Sequence, residues 1–157
     1  MITIAEKLRE IVDQAPARLL TFSDEEAGRQ PAPGKWSKKE IIGHLIDSAA
    51  NNHARFVRAQ RSSDLVFEGY DQDEWVRVQR YRGRRWADLV RLWQEYNRHI
   101  AFVMAATDES ALTQPRARHS LDTIAFKVVP ADQAATLEYL MRDYVDHLEH
   151  HLRQVFR

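Results

Sequence analysis

The sequence contains no cysteine. That removes disulfide scaffolding, cysteine-ligated zinc or iron–sulfur centres and any cysteine nucleophile of the chain's own, so a metal here must be held by histidine and carboxylate. No apolar run approaches the roughly 20 residues that a membrane-spanning helix needs. The first ten residues mix apolar and charged side chains and lack the basic and apolar regions of a secretory signal. The expectation is a cytoplasmic protein with no membrane partner. Nor is there an excess of charge of one sign: 23 basic side chains face 23 acidic ones. Phosphate backbones demand a basic footprint, so no nucleic-acid partner is expected. A glycine-rich phosphate loop, a GxSxG elbow and an aromatic–basic surface for single strands are absent as well.

Glycine and proline are scarce, five of each, and they cluster. Pro31, Pro33 and Gly34 mark one break, Gly69 and Gly83 flank a second, and Pro115 and Pro130 bracket a third. The 157 residues suit one domain spanning 1–157, and between the breaks the apolar spacing is helical. A first helix begins near Thr3 with Ile4, Leu8, Ile11 and Val12, and a short continuation follows Pro16. A second runs from about Ser37 to Arg61, opened by a Ser37/Glu40 capping box with Trp36 as an apolar staple against Ile41. A third covers roughly Arg85 to Ala106. The fourth starts after Pro130 and repeats Leu137, Leu140, Met141, Tyr144, Val145, Leu148, Leu152 and Val155. The fold expected is all-α, a four-helix bundle with two long connections. The first, Ser62 to Arg84, holds a short helical piece around Asp71 to Val78; the second, Thr107 to Asp132, includes a β-leaning stretch from Thr123 to Val129. Long connections are costly to order, which makes both candidate site walls.

Seven histidines are the chemical resource that remains. His147 and His151, four residues apart, fall together at one edge of the last helix's apolar arc, while His150 points toward the polar side. Two imidazoles one turn apart can grip the same divalent ion; alternatively, they are boundary residues satisfied by a neighbouring helix and by water. On the second helix Glu40, His44, Asp47, Asn51, Arg55 and Arg58 form one stripe, either a solvated face or the source of a third ligand, His44. Three histidines from two helices leave coordination positions open, as catalytic metal sites require. His53, His99 and His119 read as packing or surface residues.

These residues resemble a known family. Pro33-Gly34-Lys35-Trp36-Ser37, Glu40 and His44-Leu45-Ile46-Asp47-Ser48 resemble the entry to the second helix in the DinB-like superfamily of metal-dependent hydrolases. Asn51, Arg55, Tyr70-Asp71 and Trp75 are similar to the branch that includes the bacillithiol S-transferases, and His147-Leu148-Glu149-His150-His151 is similar to the closing HxxHH. The resemblance implies a DinB-like four-helix bundle, commonly a homodimer, with a divalent ion held by His44, His147 and His151. Asp47, Asn51 and Arg55 match recurrent positions. Chemistry suggests that Asp47 orients His44 or handles a proton, and that Arg55 pairs with Asp47 or with an acidic substrate group. Tyr70 and Trp75 are candidates for the pocket wall and for binding a thiol cofactor. Two departures, Gly43 and Ala49 where that branch often has histidine, bear on the substrate. The function expected is a divalent-metal-dependent enzyme, with zinc or nickel, acting on a small molecule as a hydrolase or small-thiol S-transferase. Any thiol would have to be an exogenous low-molecular-weight one. The alternative is a non-catalytic metal-binding or metal-free bundle dimer acting as an interaction module, with Trp86, Trp93 and Phe102 supplying either an apolar dimer face or simply core.

Overall fold

Each of the first three helices starts at a capping box, in which a hydroxyl and a glutamate satisfy each other's exposed backbone amides. In the computed structural model, which describes residues 1–157, Thr3/Glu6 opens α1 (Ile4–Leu19), Ser23/Glu26 opens the short α2 (Asp24–Gly28) and Ser37/Glu40 opens α3 (Lys38–Ala59). There follow α4 (Gln72–Gln79), α5 (Trp86–Ala105), α6 (Glu109–Thr113), α7 (Leu121–Ile124) and α8 (Leu137–Val155), the last capped by Thr136. The four long helices α1, α3, α5 and α8 form the bundle. None is long and apolar enough to cross a membrane.

Pro16 does not divide α1, and the continuation expected after it is part of the same helix. A proline removes the amide that would bond to the carbonyl four residues earlier. Here that carbonyl, Val12 O, accepts instead from Gln94 Nε2 of α5 at 2.9 Å, so the helix continues without an orphaned acceptor. The stretch Thr123 to Val129 is not a strand either. Its first residues close α7, and the amides of Phe126 and Lys127 donate to the Asp143 carboxylate at 2.8 and 2.7 Å, which leaves no ladder for a partner strand.

Around the bundle, α1 borders α5 and α8, and α3 borders the same two. The pairs α1/α3 and α5/α8 therefore sit diagonally, so the chain crosses between opposite corners from α1 to α3 and from α5 to α8, while α3 and α5 are neighbours. Trp86 and Trp93 lie in the core, whereas Phe102 is 69% exposed. Across the middle, Tyr144 Oη of α8 donates to the buried Asn97 Oδ1 of α5, tying one diagonal together with a satisfied polar pair.

Gly43 lets one further group approach. A Cβ added there would stand 2.1 Å from the Tyr81 ring. That ring packs against α3 at Gly43, and its hydroxyl donates to Asp47 Oδ1 at 2.5 Å. Glycine costs about 1 kcal/mol in a helix interior, and here it is required by the close approach of an aromatic ring. Gly43→Ala is expected to lower the urea unfolding free energy by about 1–3 kcal/mol through overpacking. In a Tyr81→Ala background the same change should be neutral or stabilising; equal losses in both backgrounds would contradict the packing account.

Candidate metal centre

The docking of α3 on α8 places three imidazoles at one point. His44 projects from the second turn of α3, and His147 and His151 stack one turn apart on α8. One ring nitrogen from each lies within 4.8 Å of the others, and His44 Nε2 and His147 Nε2 are 3.2 Å apart. Two nitrogens each about 2.0–2.1 Å from a tetrahedral ion stand about 3.3 Å apart, so the spacing suits a shared ion. His44 is only 1% exposed, and its Nδ1 has no hydrogen-bond partner. The polar engagement of this ring is with the cluster alone.

Electrostatics agree with the geometry. Burial, reinforced by repulsion among the rings, pushes the pKa values of His44 and His147 down to about 3, and burial lowers that of His151. All three are therefore neutral near pH 7 and offer lone pairs. The His151 Nδ1 proton goes to Gln154 Oε1 at 2.8 Å, which leaves Nε2 unprotonated and aimed into the cluster. The Gln154 amide nitrogen is 3.2 Å from His150 Nε2, so the side chain bridges the two neighbouring histidines. Gln154 thus sets the tautomer of a candidate ligand, as carboxylates and carbonyls do around other metal-binding histidines.

A cavity of about 480 Å³ opens beside the cluster, walled by α3, α8 and the two long connections. His147 and His151 border it at one end, and Ser48, Asn52 and Arg55 line the α3 side. The stripe of α3 that faces the cavity is therefore Ser48, Asn52 and Arg55. Of the stripe read from the sequence, His44 joins the cluster and Arg55 lines the cavity, whereas Asp47 and Asn51 do not. Asp47 is buried and accepts from Tyr81 Oη and from Gln79 Nε2 at 2.7 Å; it makes no hydrogen bond to His44 and no ion pair with Arg55. Burial outweighs these hydrogen bonds and raises its pKa. Asn51 Nδ2 donates back to the Asp47 carbonyl at 2.9 Å.

Tyr70 lines the cavity, but Trp75 does not: its ring packs tilted against that of Tyr70, centroids 5.0 Å apart, and is 37% exposed. His150, expected on the polar side, borders the cavity, where the Phe126 ring packs against both His147 and His150. The sequence reading passed over Ser48, Asn52 and Gln154, although Ser48 and Asn52 follow His44 at four-residue steps and Gln154 follows His151 by three. Phe126 and Asp143 carried no such signal, because their roles depend on how the second connection folds back.

Metal content of untagged protein, measured by plasma mass spectrometry, is expected near one divalent ion per chain and near zero in His44→Ala and His147→Ala. Gln154→Ala should keep the fold and weaken affinity about 10- to 100-fold, as loss of a ligand's orienting partner does elsewhere. Undiminished metal in all three variants would contradict this site.

Comparison with known proteins comes to the same group. A curated Bacillus subtilis (strain 168) relative, named "Putative metal-dependent hydrolase YfiT", is 23% identical over 155 residues, covering 96% of this chain and 81% of its own. The solved structure of YfiT, a four-helix bundle of unusual topology, superposes with a TM-score of 0.73 at 18% identity, covering 97% of this chain and 83% of that one. The family model of the DinB superfamily matches residues 7–155, and the chain belongs to that superfamily.

Proposed function

We propose that this protein is a divalent-metal-dependent enzyme acting on a small molecule held in the cavity beside the three histidines, with hydrolysis as its leading activity. The observation that carries the reading is the combination of three converging neutral imidazoles with an open cavity bordered by two of them. A purely structural metal site has no need of such an opening. The name given to the YfiT relative supports the same class.

His44, His147 and His151 would hold the ion, and Gln154 would keep His151 in the required tautomer. When bound there, a divalent ion supplies Lewis acidity, bringing a coordinated water's pKa to about 7 or keeping a coordinated thiol deprotonated. Zinc and nickel both suit imidazole. Phe126, Ile124, Leu140 and Tyr144 exclude water from part of the wall. Ser48, Asn52 and Tyr70 offer hydrogen bonds to the substrate, and burial raises the Tyr70 hydroxyl's pKa to about 12, keeping it a donor at neutral pH. Asp47 acts through the fold, bracing Tyr81 against α3.

One observation favours thiol transfer as a second reading. His151 also borders another opening, of about 520 Å³, lined by Trp36, Lys35, Gln154 and Arg157. Two approaches to one centre suit a two-substrate reaction, and a chain without cysteine must receive its sulfur nucleophile from outside.

Zinc- or nickel-loaded protein should hydrolyse members of a panel of p-nitrophenyl esters and anilides, or conjugate glutathione, bacillithiol or mycothiol to 1-chloro-2,4-dinitrobenzene. Either activity should fall at least 100-fold in His147→Ala and on chelation. Turnover of esters alone selects hydrolysis, and turnover only with a thiol selects transfer. Fully loaded protein inert toward the whole panel, or activity indifferent to chelation, would contradict the enzyme reading.

A further inference from the structure

The far end of the cavity holds an unusual charge. Arg55 lines the cavity wall yet is only 7% exposed. Burying a guanidinium is costly unless an anion and hydrogen bonds compensate it. Its partners here are neutral: NH2 donates to the Glu68 carbonyl at 2.8 Å, and NH1 makes a long 3.4 Å contact with Asn52 Oδ1. It forms no ion pair. The carboxylates that could have served are committed elsewhere. Asp47 accepts from Tyr81 and Gln79, and Asp143, which shares the cavity wall, accepts from the amides of Phe126 and Lys127. A guanidinium has five N–H donors, so anchoring one loop carbonyl uses little of its capacity.

From these contacts we propose that the Arg55 end of the cavity is an oxyanion subsite, so that the substrate is an elongated small molecule with a carboxylate or phosphate at one end and the reacting bond at the other. That the reacting bond lies at the histidine end rests on the function proposed above. His44 and Arg55 are eleven residues apart on α3, about 16 Å along the axis at 1.5 Å per residue, and the backward tilt of helical side chains brings the guanidinium closer than that. Ser48, Asn52 and Tyr70 complete the donor set around the anion's path. Arg55 is thereby a specificity-determining residue: its charge selects anionic substrates over neutral isosteres.

The test uses metal-free protein, so that its outcome is independent of whether the histidines load an ion. Calorimetric titration compares benzoate and inorganic phosphate with benzamide, the neutral isostere of benzoate. Wild type is expected to bind at least one of the two oxyanions 10-fold or more tightly than benzamide. His147→Ala should keep that preference, Arg55→Lys should keep part of it, and Arg55→Gln should abolish it while leaving benzamide binding unchanged. A merely structural arginine would shift the anion and its isostere together. The wild-type comparison stands even if Arg55→Gln fails to fold. Equal affinity for anion and isostere, no binding of either oxyanion, or a preference that survives Arg55→Gln would overturn the proposal.

Discussion

The seam between α3 and α8 is the contact on which the histidine cluster and its cavity depend. It takes one imidazole from α3, buries it almost completely, and sets it 3.2 Å from an imidazole of α8. Neither helix could build the cluster alone, because a single helix face offers two histidines one turn apart and no more. The other elements serve this seam. α5 packs on α1 and α3, and its Asn97 ties it across the bundle to Tyr144 of α8. The ring of Tyr81 lies on Gly43 one residue before His44. The second connection is latched to α8 by the Asp143 carboxylate, which brings Phe126 over the histidines.

Burial does two kinds of electrostatic work in this cavity. At the cluster it disfavours protonation, so three imidazoles can crowd together without mutual repulsion and present lone pairs. At Arg55 it also opposes the charged form, but a guanidinium stays protonated at neutral pH, and the cost of its burial remains as an unmet demand for an anion. A cavity with neutral imidazoles at one end and a desolvated cation at the other is polarised along its length. Under the function proposed above, that polarity would give an anionic substrate a direction in which to bind.

The long helices were legible because their apolar spacing and their Ser37/Glu40-type caps are local properties of the chain, and the three histidines were legible from four-residue spacing together with the family resemblance. The facing stripe of α3 was not. From His44 a helical stripe can continue through Asp47 or through Ser48, and only the angle at which α8 docks decides between them. The same limit hid the partner of Asp47, since Tyr81 lies 34 residues away and reaches it only because Gly43 leaves room. What lets the helix run through Pro16 was hidden in the same way: Gln94, which satisfies the carbonyl that Pro16 leaves free, belongs to a distant segment. The β-leaning run from Thr123 to Val129 reads as extended from local propensity alone, but the amides of Phe126 and Lys127 go to the distant Asp143 carboxylate.

The central claim is that His44, His147 and His151 together bind one divalent ion through ring nitrogens. X-ray absorption spectroscopy of the zinc-loaded protein tests it most directly. The account predicts three imidazole nitrogens at about 2.0–2.1 Å with one further oxygen ligand, and the loss of one imidazole in His44→Ala. A shell dominated by carboxylate oxygen, or a spectrum unchanged by His44→Ala, would contradict it.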